Sequence, residues 1–261
     1  MTKLQMIGGG QMGQALLGGM IAAGWAPPGD LAVVDVSAAQ RDQAAERLPG
    51  VTVLDSPLPA VDSVLAVKPH FVIDVASSLE DPGRVVSIAA GITTSSIEEV
   101  LPDQTRVIRV MPNTPALVGQ GASALAPGSA ATSDDMAWAT EMLAACGAAV
   151  VVTEAQLDAV TGLSGSGPAY VFLIAEALAD AGVAAGLPRP VAELLANQTL
   201  LGAGAMLSET GTSAGDLRAA VTTPAGTTAA GLRVLEERAV RSALIEAVQA
   251  AAERSRELGR S

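Results

Sequence analysis

The sequence predicts an α/β protein with a doubly wound, mostly parallel sheet, followed by an all-α domain. Three observations carry this. Short β-rich runs alternate with helical runs up to about residue 152, as in sheets assembled from strand–helix–strand units. A glycine-rich turn joins the first apolar run to the first helical stretch. Strand signals then stop, and helical periodicity continues alone to the end.

Residues 4–7 are apolar and end in Gly8-Gly9-Gly10. Residues 11–23 read as a helix, with Met12, Ala15, Leu16 and Met20 on one face. Strands are predicted at 31–34, 51–54, 63–67, 84–88, 105–110 and 148–152. The 63–67 run is apolar nearly throughout, as a strand covered on both faces requires. Helices fit 38–48 and 71–79 between them. Beyond, helices are predicted at 168–181, 190–207, 224–236 and 240–258, the first three opened by a proline. Val240, Leu244, Val248 and Ala251 form one helical stripe. The domains are therefore drawn at 1–158 and 159–261. Four helices this apolar and rich in small residues exceed what one layer can bury. The second domain is thus expected to be an all-α dimerisation domain, giving a homodimer or an assembly of dimers.

Lysine plus arginine number 15 and aspartate plus glutamate 27, a net charge of −12. That sign opposes nucleic-acid binding and attraction to anionic membranes. A single cysteine, Cys146, rules out an internal disulfide. A single histidine, His70, leaves too few ligands for a His/Cys metal site, so no metal is expected. A Ser-His-Asp triad would need His70 as its base. Met1-Thr2-Lys3 has no signal-peptide character, and no uncharged apolar run reaches the ~18 residues of a membrane span. A soluble cytoplasmic protein is expected.

Gly8-Gly9-Gly10-Gln11-Met12-Gly13 fits GxGxxG after a strand and at the start of a helix. Gly8 permits the tight turn, Gly10 lets backbone approach a pyrophosphate, and Gly13 lets helix pack on strand. The helix N-terminus supplies free N–H groups and a positive dipole. Asp35 ends the second strand roughly 20 residues further on, where an acid meets adenosine ribose hydroxyls. The first domain is therefore Rossmann-like. Asp35 favours NADH, whereas Ser37 and Arg41 offer a phosphate contact, so NADPH and NADH both stay open. Further turns follow strands: Ala66-Val67-Lys68-Pro69, Ser87-Ile88-Ala89-Ala90-Gly91, and Arg109 to Pro115, which includes Asn113. Ligands of parallel sheets bind at such strand ends.

With these residues in view, the sequence resembles the pyrroline-5-carboxylate reductase family over essentially its whole length. The most specific stretches are Arg109 to Leu117, Leu163-Ser164-Gly165-Ser166-Gly167-Pro168-Ala169-Tyr170, and Val221-Thr222-Thr223-Pro224-Ala225-Gly226-Thr227-Thr228 with Arg233-Val234-Leu235-Glu236. The resemblance implies NADPH- or NADH-dependent reduction of a cyclic imine carboxylate to L-proline. It implies that Gly8 to Gly13 bind the pyrophosphate, that Ala66 to Pro69, Ile88 to Ala90 and Asn113 line the cofactor cleft, and that Thr223, Gly226, Thr227 and Thr228 hold substrate. Thr228 falls where the family has its candidate for the bond to the ring nitrogen. Two departures stand out. Thr223-Pro224-Ala225-Gly226 replaces the family's usual Ser-Pro-Gly-Gly, so Ala225 sits where a positive φ would favour glycine. Ala239-Val240 replaces Gly-Phe or a close variant, which reads as a packing change.

The residues suit that chemistry. The cofactor carries the hard step, so no activated nucleophile is needed. If a helix opens at Pro224, the N–H groups of Gly226 and Thr227 are free to bind a carboxylate. A hydroxyl at Thr228 can donate or relay a proton to the imine, although the four threonines here also suit helix capping. Lys68 suits cofactor phosphate, an acid role or plain solvent exposure; His70 caps or packs, and Cys146 reads as a buried thiol. Two rivals remain: another reductase of similar architecture, and a non-catalytic nucleotide-sensing protein. Hydroxyacid dehydrogenases need a lysine on the first helix of the second domain, and residues 160–187 contain none.

Overall fold

The structure, a computed structural model, describes residues 2–259. Its sheet comprises β1 (Leu4–Ile7), β2 (Leu31–Val34), β3 (Thr52–Leu54), β4 (Asp62–Leu65), β5 (Arg84–Ser87), β6 (Arg106–Met111), β7 (Gly121–Pro127) and β8 (Gly147–Val151). The spatial order is β3-β2-β1-β4-β5-β6-β7-β8. Every pairing is parallel except β6 with β7. Helices α1 (Gln11–Ala22), α2 (Ala38–Arg47), α3 (Val72–Ser77), α4 (Thr94–Glu98) and α5 (Ser133–Ala144) connect the strands.

Strand alternation divides the core into two layers. Leu4, Met6, Val64, Val86, Ile108 and Val110 pack with Leu16, Leu17 and Met20 of α1 and Met142 and Leu143 of α5. Ile7, Leu65, Val85 and Val107 point the other way, onto Val72 and Ala76 of α3 and Ile97 of α4. The sheet is doubly wound, as its apolar strands require. Gln5 is buried among them and spends its carboxamide on Leu58 N–H, Leu58 O and Ser63 Oγ, each at 2.9 Å.

Some elements depart from the sequence reading. β7 lies outside the predicted strands, because Gly-Ala-Ser-Ala-Leu-Ala-Pro has little β propensity. It forms because β6 and β8 supply partners on both sides. The helix expected at 71–79 shrinks to α3 after a 3₁₀ turn at Pro69–Phe71. α5 was also missed, although Thr132 and Asp135 form a capping box that sequence can reveal. Asp135 is buried there between Arg84 Nε (2.8 Å) and Arg106 Nη1 (3.4 Å). Burial raises its pKa, but the Thr132 hydroxyl and N–H and the two arginines together hold it below the ordinary value.

After α6 (Leu157–Val160) comes a π-helical turn, Thr161–Gly165. Helices α7 (Gly167–Ala184), α8 (Arg189–Glu209), α9 (Ala214–Ala220), α10 (Thr227–Glu237) and α11 (Val240–Leu258) follow. α9 is an addition to the four helices expected. Among the described residues no strand follows Val151.

The chain separates into two compact units, 2–166 with 249–259, and 167–248. This differs from a division at 158/159, because residues 159–166 and the last turns of α11 belong to the first unit. Ser255 Oγ donates to Asp158 Oδ1 at 2.6 Å, and Ala252 is buried. In the second unit α7 and α8 meet along a seam of small residues, Ala179, Ala192 and Ala196, with Gly182 close to Ala192. Their other faces expose Phe172, Leu173, Leu194 and Leu201, each more than half accessible. The helical run Glu154–Ala184 is, by length and composition, apolar enough to cross a membrane. The sequence expectation concerned uncharged runs alone; this run carries Glu176 and Asp180 on α7.

Candidate active site

The sheet order creates the site. From β1 the chain winds outward through β2 and β3, then returns to place β4 on the other side of β1. A crevice opens at such a reversal, at the C-terminal strand ends. The registers Ile7 with Val34, Ile7 with Leu65 and Leu65 with Ser87 align three strand ends beside that of β1, and Ser87 pairs with Arg109, so β6 runs two residues farther, to Met111. Gly8, Asp35, Ala66, Ile88 and Asn113 therefore leave the sheet along one edge.

Each glycine of the first turn has a distinct job. Gly8 has φ +112°, and a Cβ there would stand 2.5 Å from the Ala66 carbonyl oxygen. At Gly13 a Cβ would strike the Gly8 carbonyl oxygen and stand 3.1 Å from Met6 Cγ. At Gly10 it would meet nothing within 4 Å, so the backbone there faces open space. Gly10 is the N-cap of α1 and offers no capping side chain. The first-turn N–H groups at Gln11, Met12 and Gly13 are left for an anion. Open space above Gly10 and free donors beyond it are what a dinucleotide pyrophosphate requires. Exposed Gln11 and half-buried Met12 contribute backbone here.

Asp35 is tied into this turn. Its Oδ2 accepts from Gly9 N–H and its Oδ1 from Ser37 N–H, both at 2.8 Å. Gln14, absent from the sequence reading, donates to Gly9 O at 2.6 Å and fixes the turn from inside. Arg41 Nη1 donates to the carbonyl oxygens of Asp35 (2.8 Å) and Val36 (3.0 Å). A pocket of about 350 Å³ lies beside the turn, walled by Gly8, Val34, Asp35, Val36, Val67 and Phe71 among others.

Farther along the edge, Ala66 N–H donates to Ile7 O at 2.7 Å and Ile88 N–H to Leu65 O at 3.1 Å. Lys68, Pro69 and Ala90 are exposed, and Ala89 is buried. Asn113 is a strut: its Nδ2 donates to Ser164 O at 3.0 Å and its Oδ1 accepts from Ala122 N–H at 2.8 Å. It secures the π-helical turn, a distortion that recurs at functional sites. Arg109, nearly buried, meets Glu154 at 3.2 Å, and Glu154 in turn accepts from the Thr94 N–H and hydroxyl, both at 2.8 Å. No sequence signal marks Thr94 and Glu154 as partners, because 60 residues separate them. His70 packs on Phe71, with ring centroids 4.1 Å apart. Cys146 is buried, burial pushes its thiol pKa up, and Sγ donates to Leu16 O at 3.4 Å.

The second unit holds the threonine-rich turn. α10 begins at Thr227 rather than at Pro224. Gly226 N–H donates to Thr223 O at 3.0 Å, closing a turn with Pro224 and Ala225 at its centre. The expectation of a free Gly226 amide is thus wrong: the turn consumes it. The free donors are one step further on, the first-turn N–H groups of Thr227, Thr228 and Ala229. Ala225 has φ +56° and keeps a conformation that favours glycine. Ala239 has φ +54°, so that departure concerns backbone as well as packing. Thr222 Oγ1 caps backward onto Arg218 O at 2.6 Å. Thr223 and Thr227 are exposed and Thr228 is half-buried.

A switch-point crevice, a glycine turn with free amides and a following helical unit define a Rossmann-type dinucleotide-binding protein. Comparison with known proteins narrows this. The model for pyrroline-5-carboxylate reductase dimerisation matches residues 154–258, and that for NADP oxidoreductase, coenzyme F420-dependent, matches residues 3–91. A pyrroline-5-carboxylate reductase of Methanosarcina acetivorans is 45% identical over 99% of this chain and 98% of its own length. A solved pyrroline-5-carboxylate reductase from Coxiella burnetii superposes with a TM-score of 0.90, at 36% identity, covering 100% of this chain and 99% of that one. The Plasmodium falciparum enzyme, solved with NADP bound, gives 0.83 at 30% identity, covering 99% of this chain and 98% of that one. The chain belongs to the pyrroline-5-carboxylate reductase family.

Proposed function

We propose that the protein reduces 1-pyrroline-5-carboxylate to L-proline with NADPH or NADH, the last step of proline synthesis. The observation that carries the substrate reading is the first turn of α10, which presents free amides and the Thr228 hydroxyl together. The Thr227 and Thr228 amides bind the carboxylate, helped by the dipole of α10. Thr223 closes the turn and keeps it in shape. The Thr228 hydroxyl donates a hydrogen bond to the ring nitrogen and orients the imine; the nitrogen takes a proton from solvent, relayed through that hydroxyl, as the ring carbon accepts hydride. The reduced nicotinamide supplies that hydride when bound. Gly8 to Gly13 hold the pyrophosphate, Asp35 and Ser37 face the adenosine ribose, and the small residues Ala66, Ile88, Ala89 and Ala90, with Val67, Lys68 and Pro69, border the nicotinamide half. Asn113 acts by positioning the π-helical turn.

The exposed faces of α7 and α8 support a homodimer, or an assembly of dimers, formed through the helical unit. Large apolar side chains exposed along both helices mark an interface, and Glu176 and Asp180 disfavour a membrane span. The cytoplasm is the compartment of this reading.

The test is loss of absorbance at 340 nm with each cofactor and pyrroline-5-carboxylate, alongside sedimentation. Imine-dependent oxidation of the cofactor by a dimer or larger assembly is expected. Cofactor binding without turnover would leave a nucleotide-sensing protein instead.

A further inference from the structure

We propose that Asp35 makes this chain select NADH over NADPH, an inference that rests on the nucleotide site assigned above. The carboxylate is fixed rather than mobile. Gly9 N–H holds Oδ2 and Ser37 N–H holds Oδ1, both at 2.8 Å. The acid is thereby anchored to the glycine turn itself and cannot swing away from an incoming ribose. Each carboxylate oxygen accepts more than one hydrogen bond, so the pair retains capacity for a ribose 2′-hydroxyl. A 2′-phosphate is mostly doubly ionised at neutral pH, so it has little proton to offer and meets a fixed negative charge instead.

The surroundings reinforce this. The charged residues lining the adjacent pocket are Asp35 and Asp55, both acidic. No lysine or arginine lines it. The cation nearest in sequence, Arg41, turns Nη1 onto the Asp35 and Val36 carbonyl oxygens at 2.8 and 3.0 Å. That arrangement ties the guanidinium to the backbone of the loop. Ser37 likewise commits its N–H to Asp35 and offers a hydroxyl alone, which carries no charge to balance a phosphate. The protein's net charge of −12 adds a field of the same sign.

The test is fluorescence titration of NADH and NADPH against the full-length wild type, Asp35→Asn and Arg41→Ala at ~0.15 M salt. The wild type is expected to bind NADH at least about tenfold more tightly. Asp35→Asn should shrink that ratio to about threefold or less. A distorted loop weakens both nucleotides together and leaves the ratio standing, so the ratio isolates the charge. Arg41→Ala should leave the ratio unchanged. Equal or tighter NADPH binding by the wild type would overturn the proposal. So would an unchanged ratio in Asp35→Asn, or a selective loss of NADPH in Arg41→Ala. Binding of neither nucleotide by a folded wild type would remove the nucleotide site as well, a distinct failure.

Discussion

One methyl group, placed at Gly10 or at Gly13, should separate nucleotide binding from folding. At Gly10 the backbone is ordinary extended, with φ −72° and ψ −178°, and an added Cβ has no neighbour within 4 Å. Gly10→Ala weakens the N-cap by about 0.5 kcal/mol. It recovers about 0.4–1 kcal/mol from the unfolded chain. Its stability should therefore match wild type within about 0.5 kcal/mol. At Gly13 the new methyl collides with the Gly8 carbonyl oxygen, with Met6 Cγ 3.1 Å away. Met6 is fully buried and Gly8 is backbone in a turn, so α1 itself must shift. Overpacking of this kind costs about 1–3 kcal/mol, and the better helix propensity of alanine returns about 1. Gly13→Ala should lose up to about 2 kcal/mol, with melting lowered by about 2–4 °C for each kcal/mol. Gly10→Val extends into the space above the helix N-terminus and should weaken nucleotide binding at least about 100-fold while melting normally. Calorimetry and nucleotide titration on the three variants give the two readouts. Wild-type affinity in Gly10→Val, or equal destabilisation by Gly10→Ala and Gly13→Ala, would refute the division of labour.

Thr228→Ala should lower kcat at least about tenfold with a smaller change in KM, because the amides proposed to hold the carboxylate remain; unchanged kcat in steady-state assays would remove the hydroxyl from the mechanism. Thr223→Ala should instead raise KM, by loosening the turn. Ala225→Gly relieves a left-handed alanine worth about 1–2 kcal/mol and gives back about 0.5–1 in chain entropy, so it should stabilise by about 0.5–1 kcal/mol in denaturant melts. Asp135 has its pKa lowered in the folded state, so its contribution is present above the unfolded value of 3.8 and is lost as pH falls through the folded one. Asp135→Asn should therefore destabilise the protein at pH 7 and flatten the acid limb of its stability curve, which melts from pH 7 to pH 2 would read.

The first unit was largely legible in the sequence because its signals are local. Strands buried on both faces must be continuously apolar, and a turn against a phosphate must be glycine. Those demands act residue by residue, so Leu4 to Ile7, Gly8 to Gly13 and Asp35 were readable in place. Longer-range partnerships were not. β7 is a strand because β6 and β8 flank it, although its own residues argue weakly for one. Asn113 belongs to Ser164 and Ala122, and Glu154 to Thr94 and Arg109, through contacts that only the folded chain creates. The Thr223–Thr228 stretch reads as a candidate site, yet only the folded turn shows which amides it offers. A proline can open a helix or a turn, and the Gly226 N–H bond to Thr223 selects the turn. Asp35 shows the same division. Sequence marked an acid at the end of the second strand; the bonds from Gly9 and Ser37, and the turning of Arg41 onto backbone carbonyls, fix where its carboxylate stands. Periodicity and turn chemistry are written in neighbouring residues, whereas the direction of a hydrogen bond depends on groups brought together from distant parts of the chain.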